Sequence, residues 1–309
     1  MSALVLAVLL SLVSAVAYAA AAIVQERVAA SAPSSVYAPV RRPAWWGSIT
    51  LNGLGAGLHV AALACGPLTL VQPMGALTIV FALPMSAVLI HRRAGPTAWR
   101  GAVMATVGLA GLLALTRGVD ADALAMGQRL ILAAAGFGGV AALFVASKAL
   151  RRSATRCVLL ATAAGSAFAM ASVFTKSVAQ DWQSEPSLAE LPSLFAIAGF
   201  ALSGLLLSQA SYRGAGLAAP LATVTVVNPV VAAAIGLTLF GESFRYGTAG
   251  TAIALGCGVV AAGGLILLTT ERLSASRHED VPAQGIPPAP GSAEHRAQPD
   301  QTVTPPALR

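Results

Sequence analysis

Long apolar runs, broken at short intervals by arginines and turn residues, constrain this chain more than any other feature. A helix needs about 20 largely uncharged residues to cross the roughly 30 Å hydrocarbon core of a bilayer. Nine segments meet or approach this length, at residues 3–24, 44–64, 67–90, 99–116, 129–148, 156–177, 191–210, 215–240 and 246–269. The sequence therefore predicts an all-α membrane protein with nine transmembrane helices.

The composition agrees with this prediction. Of the 309 residues, 56% are hydrophobic and 10% are charged, against about 25% charged in a typical soluble domain. The net charge of +7 also occurs in nucleic-acid-binding proteins, but here the arginines form short clusters between apolar runs, which is typical of a topology signal. We expect a multi-pass protein of the cell membrane, with the lipid bilayer as its surroundings and no nucleic-acid partner.

The chain shows no pattern typical of an enzyme. Cys65, Cys157 and Cys257 lie far apart and form neither a CxxC pair nor a Cys/His cluster, so neither a metal site nor a disulfide framework is indicated. No nucleophile–base pair is evident. We therefore expect no catalytic activity, cofactor or bound metal.

The two ends of the chain need separate interpretation. The first apolar run ends in Ala17-Tyr18-Ala19, which resembles a signal-peptidase site, but no Lys or Arg precedes Arg27. Because a secretory signal begins with a positive segment, we expect the first span to be retained. Residues 270–309 contain seven prolines and few apolar residues, which predicts a disordered cytoplasmic tail.

The distribution of Lys and Arg predicts the orientation. With nine spans the connecting segments alternate between the two sides, and cytoplasmic segments carry the excess of basic residues. One set of segments, residues 25–43, 91–100, 148–156, 211–214 and the tail, holds 15 Lys and Arg, and the other set holds 4. The amino terminus is therefore predicted outside and the carboxy terminus inside.

An internal repeat divides the chain into two halves. Residues 18–24 (YAAAAIV) align without gaps on residues 168–174 (FAMASVF), and Val28-Ala29 then align on Val178-Ala179. The first span thus corresponds to the sixth. The repeats are residues 3–116 and 156–269, joined by a linking helix at 129–148. Because one helix separates them, they have opposite orientations in the membrane, an arrangement typical of secondary transporters.

The third and eighth spans share a pattern of prolines. Pro73 precedes Thr78 by five residues, as Pro220 precedes Thr225, and Pro84 and Pro229 follow with a two-residue difference in spacing. Proline costs roughly 3 kcal/mol inside an ordinary helix. Interrupted helices at matching places in two inverted halves indicate a transporter's binding site.

Several of these residues resemble the drug/metabolite transporter superfamily. Asn228-Pro229 followed by Gly241-Glu242 is similar to the ending of an EamA-type helix pair. Residues 55–59 (GAGLH) and 66–77 (GPLTLVQPMGAL) are similar to the NIPA-type magnesium-transporter branch, which has a comparable run ending in Thr-Pro-Leu-Gly-Ala-Leu and also has nine spans. Ala56 stands where that branch usually has glutamate and His59 where it has asparagine, so the resemblance favours the superfamily over magnesium transport.

The resemblance implies a central cavity among spans 1, 3, 6 and 8. All twelve carboxylates lie in loops, span ends or the tail, so we expect a largely neutral site. The candidate substrate-binding residues are Tyr18, His59, Gln72, Pro73, Thr78, Thr225, Asn228 and Pro229, and the candidate gate residues are Glu26 and Lys176, which the repeat aligns. The alternatives are hydrogen bonding between helices for the polar residues and snorkelling at the interface for the two charges.

These observations favour a carrier that moves a small metabolite or drug-like solute by alternating access. Its substrate would be neutral, zwitterionic or modestly amphipathic. Two alternatives stay open: a permease for magnesium or another divalent cation, and a membrane scaffold or sensor that uses the tail to bind a partner. The oligomeric state is also open, with a homodimer as one arrangement.

Overall fold

A computed structural model describes residues 3–31, 39–65, 71, 74–91, 95–117, 124–150, 152–182, 190–213 and 215–279. These residues form nine helices: α1 (Ala3–Ser31), α2 (Pro43–Cys65), α3 (Leu77–Ile90), α4 (Pro96–Leu115), α5 (Met126–Ala149), α6 (Ser153–Trp182), α7 (Leu191–Ser211), α8 (Ala218–Leu239) and α9 (Gly247–Glu279). Two short strands, β1 (Thr116–Arg117) and β2 (Ser243–Phe244), pair with each other. The prediction of an all-α protein is confirmed.

Most of these helices have the dimensions of membrane spans. Seven of them, α1 and α4 to α9, contain stretches long and apolar enough to cross a bilayer. The chain is therefore a multi-pass membrane protein. Among the described residues α3 is a shorter apolar helix of 14 residues, and α2, with 23, is not one of the seven. The helices thus match the nine predicted segments in number; α3 is shorter than its predicted span, and α2 covers residues 44–64 without being one of the seven candidate spans.

Two predicted boundaries need correction, and a third lies partly outside the described residues. The third span, predicted at 67–90, is described as α3 from Leu77, and Val71, Met74 and Gly75 before it are also helical, whereas residues 66–70, 72 and 73 lie outside the described residues. The first helix continues to Ser31, beyond the predicted end at 24. The last helix continues to Glu279, so the first ten residues of the predicted disordered tail are helical, and residues 280–309 lie outside the described part of the chain.

Hydroxyl groups satisfy the backbone where α3 begins. The Thr78 hydroxyl donates to the carbonyl of Gly75 at 2.7 Å, and the Thr106 hydroxyl of α4 donates to the carbonyl of Ala76 at 3.2 Å. A carbonyl left unpaired in hydrocarbon costs several kcal/mol. The start of α3 is thereby tied to α4, which lets an interrupted helix exist between apolar neighbours.

The prolines do not all interrupt helices. Pro84 lies inside α3 and Pro229 inside α8. Pro220 lies in the first turn of α8, where a missing N–H removes no intrahelical hydrogen bond. Pro73 lies outside the described residues. The matching breaks in the two halves therefore reduce to Pro84 and Pro229.

The helices pack in a similar order in the two halves. Helix α1 packs against α2 and α3, as α6 packs against α7 and α8, and α3 packs against α4 as α8 packs against α9. The linking helix α5 packs mainly against α6. Contacts between α3 and α8 and between α4 and α9 join the halves. Equivalent helices thus meet at the centre.

An aromatic ring covers a glycine at the same place in each half. A Cβ atom at Gly55 of α2 would lie 3.1 Å from the Tyr18 ring of α1. A Cβ atom at Gly204 of α7 would lie 2.8 Å from the Phe168 ring of α6. Tyr18 and Phe168 are the residues that the repeat aligns, so the two halves share a contact as well as a sequence pattern.

The α4–α9 contact brings two backbones together. A Cβ atom at Gly101 would lie 2.8 Å from the carbonyl oxygen of Gly264, and one at Gly108 would overlap the backbone of Ala261. Since residue numbers rise along α4 as they fall along α9, the two helices run antiparallel. Small residues permit such close approach between membrane helices.

Candidate functional site

A cleft of about 500 Å³ opens between α5, α6 and α8. Small-molecule sites are typically about 300–1,000 Å³ and largely apolar. The cleft is lined by Ala135, Gly136, Gly139, Val140, Ala142, Leu143, Ala146, Ser166, Met170 and Val231. Its lining is almost wholly apolar, with the Ser166 hydroxyl as its polar group.

Small residues on one face of α5 leave this space open. Ala135, Gly139, Ala142 and Ala146 recur at intervals of three or four residues, which places them on one face of the helix. A Cβ atom at Gly139 would meet nothing within 4 Å, whereas one at Gly136 would approach Met170 Cε at 2.6 Å. The cleft is therefore open beside Gly139 and closed beside Gly136.

Asn228 lies near Ser166, the polar residue of the cleft lining. A Cβ atom at Gly165 of α6 would lie 3.2 Å from the backbone nitrogen of Asn228, so α6 and α8 approach closely at this point. Asn228 is half-buried and lies one turn before Val231, which lines the cleft. Ser166 follows Gly165 directly. The structure thus brings one predicted substrate-binding residue close to the cleft.

The other predicted substrate-binding residues that the structure describes lie on α1, α2, α3 and α8. Tyr18 packs on Gly55, and His59, also half-buried, lies one turn farther along α2. Thr78 donates to Gly75 and Thr225 to the carbonyl of Leu221 at 2.8 Å. Pro229 is half-buried within α8. Gln72 and Pro73 lie outside the described residues. The hydroxyls of both threonines donate to backbone carbonyls three or four residues earlier in the chain.

The two predicted gate residues belong to different clusters. Lys176 Nζ lies 2.6 Å from Glu242 Oε1 and 4.6 Å from the centroid of the Phe240 ring. Both partners follow the end of α8. The Glu242 carboxylate lies directly against Gly236, where a Cβ atom would displace it. The sequence indicated the lysine, but its partner Glu242 was interpreted only as part of the family motif.

Glu26 lies in a second cluster, where the end of α1 meets the end of α7. Glu26, Gln25, Gln209 and Tyr212 are all buried. The Gln209 amide donates to the carbonyl of Gln25 at 2.9 Å, and within the described residues its Oε1 has no hydrogen-bond partner. Burial raises the pKa of Tyr212, a hydrogen bond from Ser208 opposes this rise, and the charge of Glu26 adds to it. The Tyr212 phenol therefore stays protonated near neutral pH.

A buried ion pair that the sequence interpretation missed ties α5 to α7. Arg129 Nη1 donates to Glu190 Oε2 at 2.8 Å and to the Ser193 hydroxyl at 3.2 Å. Arg129 Nε also donates to the carbonyl of Leu124 at 2.7 Å. In the sequence, the one indication of this contact was that Arg129 and Glu190 lie at the starts of predicted spans 5 and 7, on the same side of the membrane.

The contacts at helix ends agree with the predicted grouping of segments. Each contact joins two segments assigned to the same side: Gln25–Gln209, Arg27 with the Leu89 carbonyl, Cys157 with the Arg213 carbonyl, Lys176–Glu242, Arg129–Glu190 and β1–β2. These contacts agree with the alternation of the nine spans on which the count of basic residues was based. Which side faces the cytoplasm stays a prediction.

In the described part of the chain no group of three His, Cys, Asp or Glu side chains is placed to hold a metal ion.

Comparison with known proteins adds one relative. An uncharacterized protein of Corynebacterium glutamicum is 26% identical over 253 residues, which cover 78% of this chain and 86% of that protein. No family model matches the chain. No solved structure matches it either.

Proposed function

We propose that this chain is a transporter of the cell membrane that moves a small neutral or modestly amphipathic solute by alternating access. The proposal includes membership of the drug/metabolite transporter superfamily, with an EamA-like arrangement. It depends above all on one observation, the matching packing of helices in the two halves. That packing includes the aromatic ring over glycine shared by Tyr18 and Phe168.

The antiparallel α4–α9 contact supports the inverted arrangement. These are the fourth helices of the two proposed repeats, and Gly101 and Gly264 lie at their crossing. In an inverted repeat, equivalent helices run in opposite directions, and one half can rock against the other around a fixed site. A seam made of glycine backbone suits such motion because few side chains need to repack.

The cleft beside α6 and α8 supports the proposed class of substrate. Its lining offers apolar surface and the Ser166 hydroxyl, with Asn228 nearby. A charged solute in such surroundings would lack the paired charges that offset its desolvation. A solute with an apolar body and one or two hydrogen-bonding groups fits this lining best.

The two charged clusters supply a gate at each end of the bundle. Lys176–Glu242 joins the end of α6 to the segment after α8, and Glu26 lies in the α1–α7 cluster at the opposite end. The repeat aligns Glu26 with Lys176. Breaking one cluster while keeping the other would expose the site to one side at a time, as alternating access requires.

The test begins with an untargeted comparison of metabolites in cells that lack the protein and cells that overproduce it. A metabolite whose level follows expression is then measured in uptake or export assays with purified protein in liposomes. We expect N228L to abolish transport and G139L to block it by filling the cleft. At both positions 138 and 139 a Cβ atom meets nothing within 4 Å, but only Gly139 lines the cleft. G138L is therefore the matched control and should transport normally.

Several outcomes would contradict the proposal. Equal transport by the wild type, N228L and G139L would exclude this site. Rescue of growth in a strain that depends on magnesium uptake would indicate a cation permease instead. Loss of the cellular phenotype on removing residues 280–309, with transport in liposomes absent throughout, would favour a scaffold or sensor.

A further inference from the structure

Two arginines and a tyrosine surround a depression of about 420 Å³ beside the paired strands. Its lining consists of Arg117, Arg245 and Tyr246. This depression shares no lining residue with the cleft, and none of its three residues belongs to either proposed gate. It lies where the chain leaves α4 and where it enters α9.

The strand pair brings the two arginines to one face. Arg117 lies opposite Ser243, and the backbone N–H of Arg245 donates to the carbonyl of Leu115 at 2.8 Å. Arg245 is two residues beyond Ser243, so Arg117 and Arg245 are diagonal neighbours on the same side of the ladder. Such neighbours lie about 7–8 Å apart, within reach of long side chains.

Neither arginine of this site is paired with a carboxylate among the described residues. Four basic residues fall in the segments predicted outside the cell. Two of them are neutralised, Arg129 by Glu190 and Lys176 by Glu242. Holding two like charges together is unfavourable, and an anion between them removes this repulsion.

The depression lies at the boundary of the bilayer. The candidate spans in α4 and α9 end at Leu115 and begin at Gly247, so all three lining residues lie within two positions of a span end. Tyr246 is 78% exposed, and tyrosine favours the headgroup region. Guanidinium groups bind phosphate oxygens through paired hydrogen bonds. Charge, shape and depth all suit a phosphate group at the membrane surface.

We propose that Arg117, Arg245 and Tyr246 form a binding site for a phosphate group, supplied by an anionic lipid headgroup or by phosphate in solution. The site does not depend on the transport function, because binding is measured on the purified protein without a substrate. The two sources of phosphate are separated by the choice of probe.

The experiment measures the melting temperature of purified full-length protein in detergent during titration with three probes. These are short-chain phosphatidylglycerol, phosphatidylcholine of the same chain length, and inorganic phosphate. We expect phosphatidylglycerol to stabilise the protein, with an effect that weakens as salt rises. At about 1 kcal/mol for each basic residue near the surface, R117Q/R245Q should bind roughly 30-fold more weakly.

Two further variants make the result specific. R152Q/R156Q removes the same charge from exposed arginines at the start of α6 and should bind like the wild type. R117K/R245K keeps the charges but loses the paired hydrogen bonds, and we expect intermediate binding. Stabilisation by inorganic phosphate that needs the same two arginines would support the site and assign it to a soluble anion. Identical responses of R117Q/R245Q, R152Q/R156Q and the wild type to both anions would overturn the proposal.

Discussion

Replacing Arg129 with methionine is expected to destabilise the fold severely. The guanidinium lies 2.8 Å from the Glu190 carboxylate, and the two side chains are only 6% and 10% exposed. Methionine fills a similar volume but offers no donor to Glu190, Ser193 or the Leu124 carbonyl. The Glu190 carboxylate would then be buried without its cationic partner.

The structure sets the size of the effect. Removing one partner of a buried ion pair costs about 3–5 kcal/mol, whereas replacing both by apolar residues is often neutral or stabilising. R129M should therefore raise the unfolding equilibrium constant more than about 100-fold, and R129M/E190L should recover most of the loss. The Lys176 and Glu242 side chains are 37% and 14% exposed, so water can partly replace the lysine and K176M should cost less than R129M.

Reversible unfolding in mixed micelles, followed by tryptophan fluorescence, would measure these free energies. We expect R129M to have a lower free energy of unfolding than K176M, and R129M/E190L to have a value close to that of the wild type. It would be refuted by R129M lying within about 1 kcal/mol of the wild type. A double variant as unstable as R129M would show that packing of the arginine, and not its charge, stabilises the contact.

Two further changes test separate parts of the structure. G264A should destabilise the protein by about 1–3 kcal/mol, because a Cβ atom there overlaps the Ala105 backbone. At Gly256 on the same helix a Cβ atom meets nothing within 4 Å, so G256A should be neutral or stabilising. Equal effects of the two substitutions in the unfolding assay would contradict the tight crossing. Burial raises the pKa of Tyr212, so unfolded protein ionises near pH 10 while folded protein keeps the proton, and stability should fall as pH rises above about 10. The melting temperature of Y212F between pH 8 and 11 should fall less than that of the wild type, and an identical fall would exclude Tyr212 as the cause.

Apolar length and charge predicted the number and sequence of helices because both are local properties. Span 7 was predicted at 191–210, and α7 occupies Leu191–Ser211. The third span was predicted as continuous, whereas a turn at Ala76 separates the helical residues Met74 and Gly75 from α3, which begins at Leu77. Hydropathy does not distinguish a continuous helix from an interrupted one whose carbonyls accept hydrogen bonds from Thr106 and Thr78.

The candidate site was predicted less completely, since it depends on contacts between distant segments. Asn228 was indicated by its place in the repeat, but the cleft beside it is made by α5, which the repeat leaves out. Arg129 and Glu190 are 61 residues apart, and no local pattern announces their pairing. Lys176 was predicted as a gate residue, whereas its partner followed only from the fold.

The crossing of α4 with α9 also has a consequence for biosynthesis. Gly108 and Ala261 meet there although four helices, α5 to α8, are made between them. Since chains emerge from the ribosome amino terminus first, the glycine face of α4 enters the membrane long before the helix that covers it. Insertion of α4 therefore precedes its packing against α9. In a chain that stops after α8, the glycine face of α4 stays uncovered and can pack against other helices. Such truncated chains should be substrates for membrane quality control even though most of their helices are correctly inserted.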